Sequence, residues 1–129
     1  MTDEVNRQEQ SSWFDNWVIQ LRKGLLEYCI LRALAGGEWY GYALVKALVN
    51  LPGLGVSEGS IYPLLSRLRK QGLVTTRLEE SNEGPARKYY QLTPTGTQQE
   101  KEMSIYYGQM ICGVEMLAEP ALRNKLSGN

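Results

Sequence analysis

Histidine is absent from the sequence. Serine–histidine and cysteine–histidine catalysis are thereby excluded. Cysteine occurs twice, as Cys29 and Cys112, each among apolar residues. Two thiols without histidine are too few for a structural zinc site within one chain. They read as buried small hydrophobes rather than as a disulfide framework. No metal constellation and no phosphate loop occurs, so no catalytic residue, metal or cofactor is expected. Glu79-Glu80, the nearest approach to an acid pair, reads as a solvated strand end. No apolar run approaches the roughly 18 residues of a membrane span. The start, "MTDEVNRQEQSSW", is acidic and polar, unlike a signal peptide, so the expected compartment is the cytoplasm.

Net charge is also missing: 14 basic residues balance 14 acidic ones. Total charge therefore offers no argument for nucleic acid or membrane. Its distribution says more. Residues 1–15 carry a net −3, residues 16–96 a net +4 and residues 97–129 a net −1. The middle is mildly basic and the ends acidic.

What is present fits one small domain with arms. Residues 1–11 are polar and expected to be partly disordered. Ser11 or Ser12 can cap a short helical run through "WFDNWVIQL". Its Trp13, Phe14, Trp17 and Val18 are too apolar for a free tail and predict packing on the body or on a partner chain. Residues 19–35 predict the first body helix. Leu26, Cys29, Ile30, Ala33 and Leu34 form one apolar stripe, and Gly36-Gly37 ends it. Residues 41–50 predict a short second helix, broken by "LPGLG" at 51–55. The third helix carries the stripe Ile61, Leu64, Leu65, Leu68, with Ser57 or Ser60 as cap and Gly72 as stop. "LVTTRLE" (73–79) and "RKYYQLT" (87–93) read as a hairpin around the turn-rich "ESNEGPA". Thr93-Pro94 then opens a long helix, a cap followed by proline at the first helical position. Along it Met103, Tyr107, Met110, Val114 and Leu117 recur in steps of 4, 3, 4 and 3, the seam of a coiled coil.

The expected fold is mostly α with a small β-hairpin: a winged helix-turn-helix, an N-terminal helical extension and a C-terminal dimerisation helix. The divisions read 1–18 as arm, 19–93 as winged helix, 94–120 as dimerisation helix and 121–129 as frayed tail.

The third helix raises the question of function. At 100° steps Gly59, Pro63, Ser66 and Lys70 lie opposite the apolar stripe, with Ser60, Tyr62 and Arg67 on the flanks. Its N-terminal half is slim and hydroxylated, and its C-terminal half is basic. A helix entering a DNA major groove needs that slim end, and side chains that reach base edges or phosphates. Arg87-Lys88 open the second hairpin strand, where a wing touching phosphates needs bases. Glu79, Glu80 and Glu83 count against DNA at the wing. The competing reading is a winged helix that serves as a protein-interaction module.

The blocks "YGYAL", "IYPLLSRLRKQGLV" and "RKYYQLTPTG", in this order and spacing, resemble the PadR family of winged-helix transcriptional regulators. The resemblance runs from about Leu21 to Gly96. It implies a homodimer held by the C-terminal helix and acting as a repressor on inverted-repeat double-stranded DNA. In some members it also implies release by a small planar aromatic effector. Carried over by position, Tyr42 and Lys46 approach phosphates, Ser57, Ser60, Tyr62 and Arg67 serve the third helix, and Arg87 and Lys88 serve the wing. Tyr40-Gly41 is expected to pack rather than to contact DNA. Two departures stand out: the extra "WFDNW" segment, and a short C-terminal helix without a second effector domain. Tyr107 falls where drug-responsive relatives line a pocket between subunits. With Trp13, Trp17 and Tyr106 it is a candidate ligand pocket, the competing reading being that these aromatics pack as core.

Overall fold

Leu31, Ile30 and Leu34 lie at the centre of the molecule, on a helix that begins far outside it. The computed structural model describes residues 2–128, with side chains from Ser12 onward. Among these, the elements are α1 (Thr2–Ala35), β1 (Trp39–Tyr40), α2 (Gly41–Val49), α3 (Glu58–Lys70), β2 (Val74–Glu79), β3 (Arg87–Leu92), α4 (Pro94–Met116) and α5 (Pro120–Ser127). The architecture is mostly helical, with a small antiparallel sheet, as expected of a winged helix.

The boundary drawn at residue 18 does not interrupt α1, and neither Ser11 nor Ser12 caps a new helix. Residues 2–23 contain neither glycine nor proline, so nothing in the backbone stops the helix. The side chains of residues 1–11 lie outside the described residues. Trp13, Phe14 and Trp17 do not pack on the body of their own chain: they are 70, 56 and 48% exposed. Only Val18 is half-buried. Pro120 opens α5, so the tail is helical rather than frayed.

The core joins Leu26, Ile30, Leu31 and Leu34 of α1 to Leu44, Val45 and Leu48 of α2 and Ile61, Leu65 and Leu68 of α3. Each such side chain contributes about 1.5–3 kcal/mol when fully buried. Both predicted stripes face this core, with Cys29, Ala33 and Leu64 at its margin. Burial pushes the Cys29 thiol up. Cys112 departs from the expectation of two buried thiols: it is exposed on α4.

The hairpin gains a third strand. β1 pairs with β3, giving the order β1-β3-β2. A two-residue strand has no periodicity to detect. Val74, Thr76 and Leu78 pair with Leu92, Tyr90 and Lys88. That face runs from buried Val74 to exposed Leu78, so the wing tip leaves the core.

Thr93 ties the sheet to α4. Its hydroxyl donates to the Gly72 carbonyl at 2.6 Å and accepts from the Gly96 amide at 2.9 Å. A Cβ on Gly96 would strike the Leu73 carbonyl, so the close approach requires glycine there. Further along, Tyr28 of α1 stacks on Tyr107 of α4 with ring centroids 5.1 Å apart. Arg32 donates to the buried Glu100 carboxylate at 3.0 Å. These contacts set the angle at which α4 leaves the body.

Candidate nucleic-acid interface

Ser57 is the residue before α3, in extended backbone, which settles which serine occupies the cap position. Its hydroxyl does not bond a helix amide but lies 3.2 Å from the Ser60 hydroxyl. Pro63 is therefore inside the helix, where it leaves the Gly59 carbonyl without its helical donor. Ile61, Leu65 and Leu68 anchor the inner face, and the opposite face is solvent-exposed from Gly59 through Lys70.

The anchored helix divides the predicted residues between two flanks. Tyr62 lies on the sheet side, 45% exposed. It neighbours the buried Tyr90, whose phenol is pushed up by burial, with Tyr62 adding to the shift and Arg69 opposing it. The Lys88 ammonium sits 5.8 Å from the Tyr90 ring centroid. Tyr62 and Arg69 of α3 thus both bear electrostatically on the Tyr90 phenol, whose ring the wing base Lys88 overlies. Arg69 was missed because wheel position alone does not show which flank faces the wing.

Ser57, Ser60 and Arg67 take the other flank, beside α1. Together with Arg22 and Lys23 they line a groove of 420 Å³. Arg67 is paired with Glu27 of α1, so its charge is already engaged within the chain. That pair spans 40 residues of sequence and is invisible to a reading of α3 alone.

The second wing base follows a different route, because successive strand residues face opposite ways. Arg87 stacks over Tyr40, 5.1 Å from its centroid. Tyr40 in turn stands 5.7 Å from Tyr89 and 6.1 Å from Tyr42. Lys46 closes the row, 5.1 Å from the Tyr42 ring, and the adjacent Tyr42 side chain raises its pKa. Tyr40 has the packing role expected of it, and β1 is what brings it there. At the far end Arg77 lies 4.5 Å from the Tyr89 centroid and makes two 2.6 Å bonds to Glu38. These bonds hold the Glu38 carboxyl below the usual range.

The C-terminal seam is divided as well. Met103 and Tyr107 are half-buried against their own chain, whereas Met110, Val114 and Leu117 are exposed. Between α1 and α4 lies an apolar groove of 530 Å³, lined in part by Leu25, Tyr28, Met103, Tyr106 and Tyr107. Trp13 and Trp17, expected with the last two, do not line it. Among the described residues no cluster suits a metal ion, and no helix is long and apolar enough to cross a membrane.

This arrangement has counterparts. A PadR-like transcriptional regulator from Bacillus cereus is 42% identical, with a TM-score of 0.69 over 78% of this chain and 97% of that one. The PadR protein of Bacillus subtilis, solved in complex with operator DNA, is 31% identical over 64% of this chain and 48% of that one, with a TM-score of 0.56. The Escherichia coli protein named transcriptional regulator YqjI is 39% identical over 77 residues. Those residues are 58% of this chain and 35% of that protein, so the chain spans about a third of that curated relative. Residues 30–102, from the centre of α1 through the start of α4, match the family described as transcriptional regulator PadR-like. With its helix-turn-helix, three-stranded wing and trailing helix in that order, the chain belongs to the PadR-like family of transcriptional regulators, which are not enzymes.

Proposed function

We propose that the chain is a sequence-specific DNA-binding repressor, acting as a homodimer on an inverted repeat in the cytoplasm. The observation that carries this reading is the solvent-exposed outer face of α3, from Gly59 through Lys70, beside a wing that presents the exposed Lys88. Each α3 enters a major groove by its slim end, and Tyr62 reaches base edges. Ser57 and Ser60 lie beside that entry, and Arg67 engages phosphate only by leaving Glu27. Lys88 meets phosphate from the wing. Tyr42 and Lys46 on α2, and Arg87 stacked on Tyr40, meet the flanking backbone. That the Bacillus subtilis relative was solved in complex with operator DNA supports DNA as the partner.

Dimerisation is supported by the apolar surface that one chain leaves bare. Met110, Val114 and Leu117 on α4, and Trp13, Phe14 and Trp17 on α1, face solvent. Large apolar side chains exposed together on one helix favour a covering partner. Two copies pairing along α4 cover these side chains and set half-sites about one helical turn apart. The apolar groove between α1 and α4 suits a flat aromatic effector that loosens this pairing, with Tyr106 and Tyr107 as its walls.

Selection from random duplex DNA by the purified chain tests the reading. An enriched palindrome bound by two chains is expected. No enrichment, with only weak binding at low salt, would overturn it and direct the search to a protein partner for the same surface. Effector binding is tested by Trp fluorescence and operator affinity against a panel of planar aromatics. A silent response in both rejects it.

A further inference from the structure

We propose that the groove between α1 and α3 is a seat for one DNA-backbone phosphate, held chiefly by Arg22 and Lys23. The inference rests on the DNA-binding reading and extends the contact surface to α1, outside the helix-turn-helix.

The argument begins with charge. Arg22, Lys23 and Arg67 line the groove, and Glu27 offsets only Arg67. Two cations remain without an acidic partner among the described residues. The second observation is Arg22 itself. Its guanidinium lies against Gly55, which turns the α2–α3 connection with φ +57, so that a Cβ there would strike it. The backbone has made room for this side chain. Its Nε is enclosed and has no hydrogen-bond acceptor. No hydrogen bond within the described residues holds this guanidinium, and an anion in the groove would supply an acceptor to its terminal nitrogens.

The helix end adds donors. Ser57 turns its hydroxyl to Ser60 instead of accepting from the first turn of α3, so the first-turn amides gain no side-chain acceptor from their cap residue. Such amides favour an anion. The floor of the groove selects the kind of anion. Ile19, Leu26, Val56 and Leu64 make it apolar, which suits the carbons of a deoxyribose on either side of a diester better than a free, fully hydrated ion. The site adjoins the N-terminal half of α3, so a phosphate seated there flanks the major groove that α3 enters.

The experiment uses the full chain and the duplex it selects, with binding measured across a salt series. Arg22→Gln/Lys23→Gln is expected to weaken binding to selected and scrambled duplexes alike. The slope of log affinity against log salt should fall by about 0.9, the value for one phosphate. Arg22→Lys/Lys23→Arg should keep the slope. Because Arg22 packs on Gly55, the exposed Lys23 is also changed alone. Lys23→Gln should weaken binding to both duplexes with an unchanged unfolding midpoint. An unchanged slope in the glutamine double variant, with wild type binding normally, overturns the inference and leaves the DNA-binding reading standing. So does a loss confined to the selected sequence, which would mean base reading. A wild-type unfolding midpoint raised by inorganic phosphate, with no effect of the substitutions on DNA, assigns the groove to a free anion and also overturns it. A wild type that enriches no duplex removes the DNA-binding reading first, and this inference with it.

Discussion

Lys88→Gln isolates one wing contact, and its size follows from the neighbours of the side chain. Lys88 is exposed at the edge of the hairpin and has no acidic partner among the described residues. Its ammonium lies over the face of Tyr90, 5.8 Å from the centroid, a weak hold on an exposed charge. The charge is therefore available to one phosphate. Losing it should reduce the magnitude of the salt slope by about 0.9. Between about 50 and about 200 mM salt, wild type should lose about 3.5-fold more affinity than the variant, since the fourfold salt ratio is raised to that power. Arg77 is the internal control. It sits on the same hairpin, but Glu38 already neutralises it through two hydrogen bonds. The charge-balanced Arg77→Gln/Glu38→Gln should leave the slope unchanged. Fluorescence anisotropy with the selected duplex over the salt series reads both. Equal slopes for wild type and Lys88→Gln would refute the assignment of Lys88. A slope reduced in the Arg77 control would refute the rule that an engaged cation contributes no phosphate contact.

Three further outcomes test the packing. Gly96→Ala places a methyl group against the Leu73 carbonyl and should cost about 1–3 kcal/mol in a denaturant titration; a neutral change would show that the α4 junction yields easily. Glu38 has its folded pKa lowered by Arg77, so its contribution to stability is present above the ordinary glutamate range and is lost as pH falls through the lowered value. Acid unfolding of Glu38→Gln should lack that component, and superimposable acid limbs in the two proteins would contradict it. Leu117→Asp puts a charge on the exposed seam and should shift sedimentation from dimer to monomer without loss of helicity; a dimer that persists would move the interface off this end of α4.

Parts of this molecule were legible because one local rule governed them. The Ile61, Leu65, Leu68 stripe needed only the 3.6-residue period, and it oriented α3 correctly. Thr93-Pro94 announced α4 through capping chemistry, and the hydroxyl performs that role. What stayed hidden depends on contacts distant in sequence. β1 exists because Trp39 and Tyr40 find Tyr90 and Tyr89 some 50 residues on. The pairing of Arg67 with Glu27 joins α3 to α1 and alters what Arg67 is free to do. α1 failed for the opposite reason: its polar start suggested a separate arm, but helix continuation needs only the absence of breakers, and none precedes Gly24. The two flanks of α3 were named together from the wheel, and only the sheet and α1 show that Tyr62 and Ser60 face different neighbours.

Photo-crosslinking from the outer pole of α3 tests the central claim most directly. Ser66 is exposed and opposite the buried stripe, so p-benzoylphenylalanine fits there without disturbing the core. Leu126 on α5 is 75% exposed and far from α3 in sequence, and serves as the control position. Irradiation with the selected duplex should link position 66 to bases of the half-site and leave position 126 unlinked. A duplex that binds fully and crosslinks at 126 but not at 66 would show that α3 is not the helix that reads DNA.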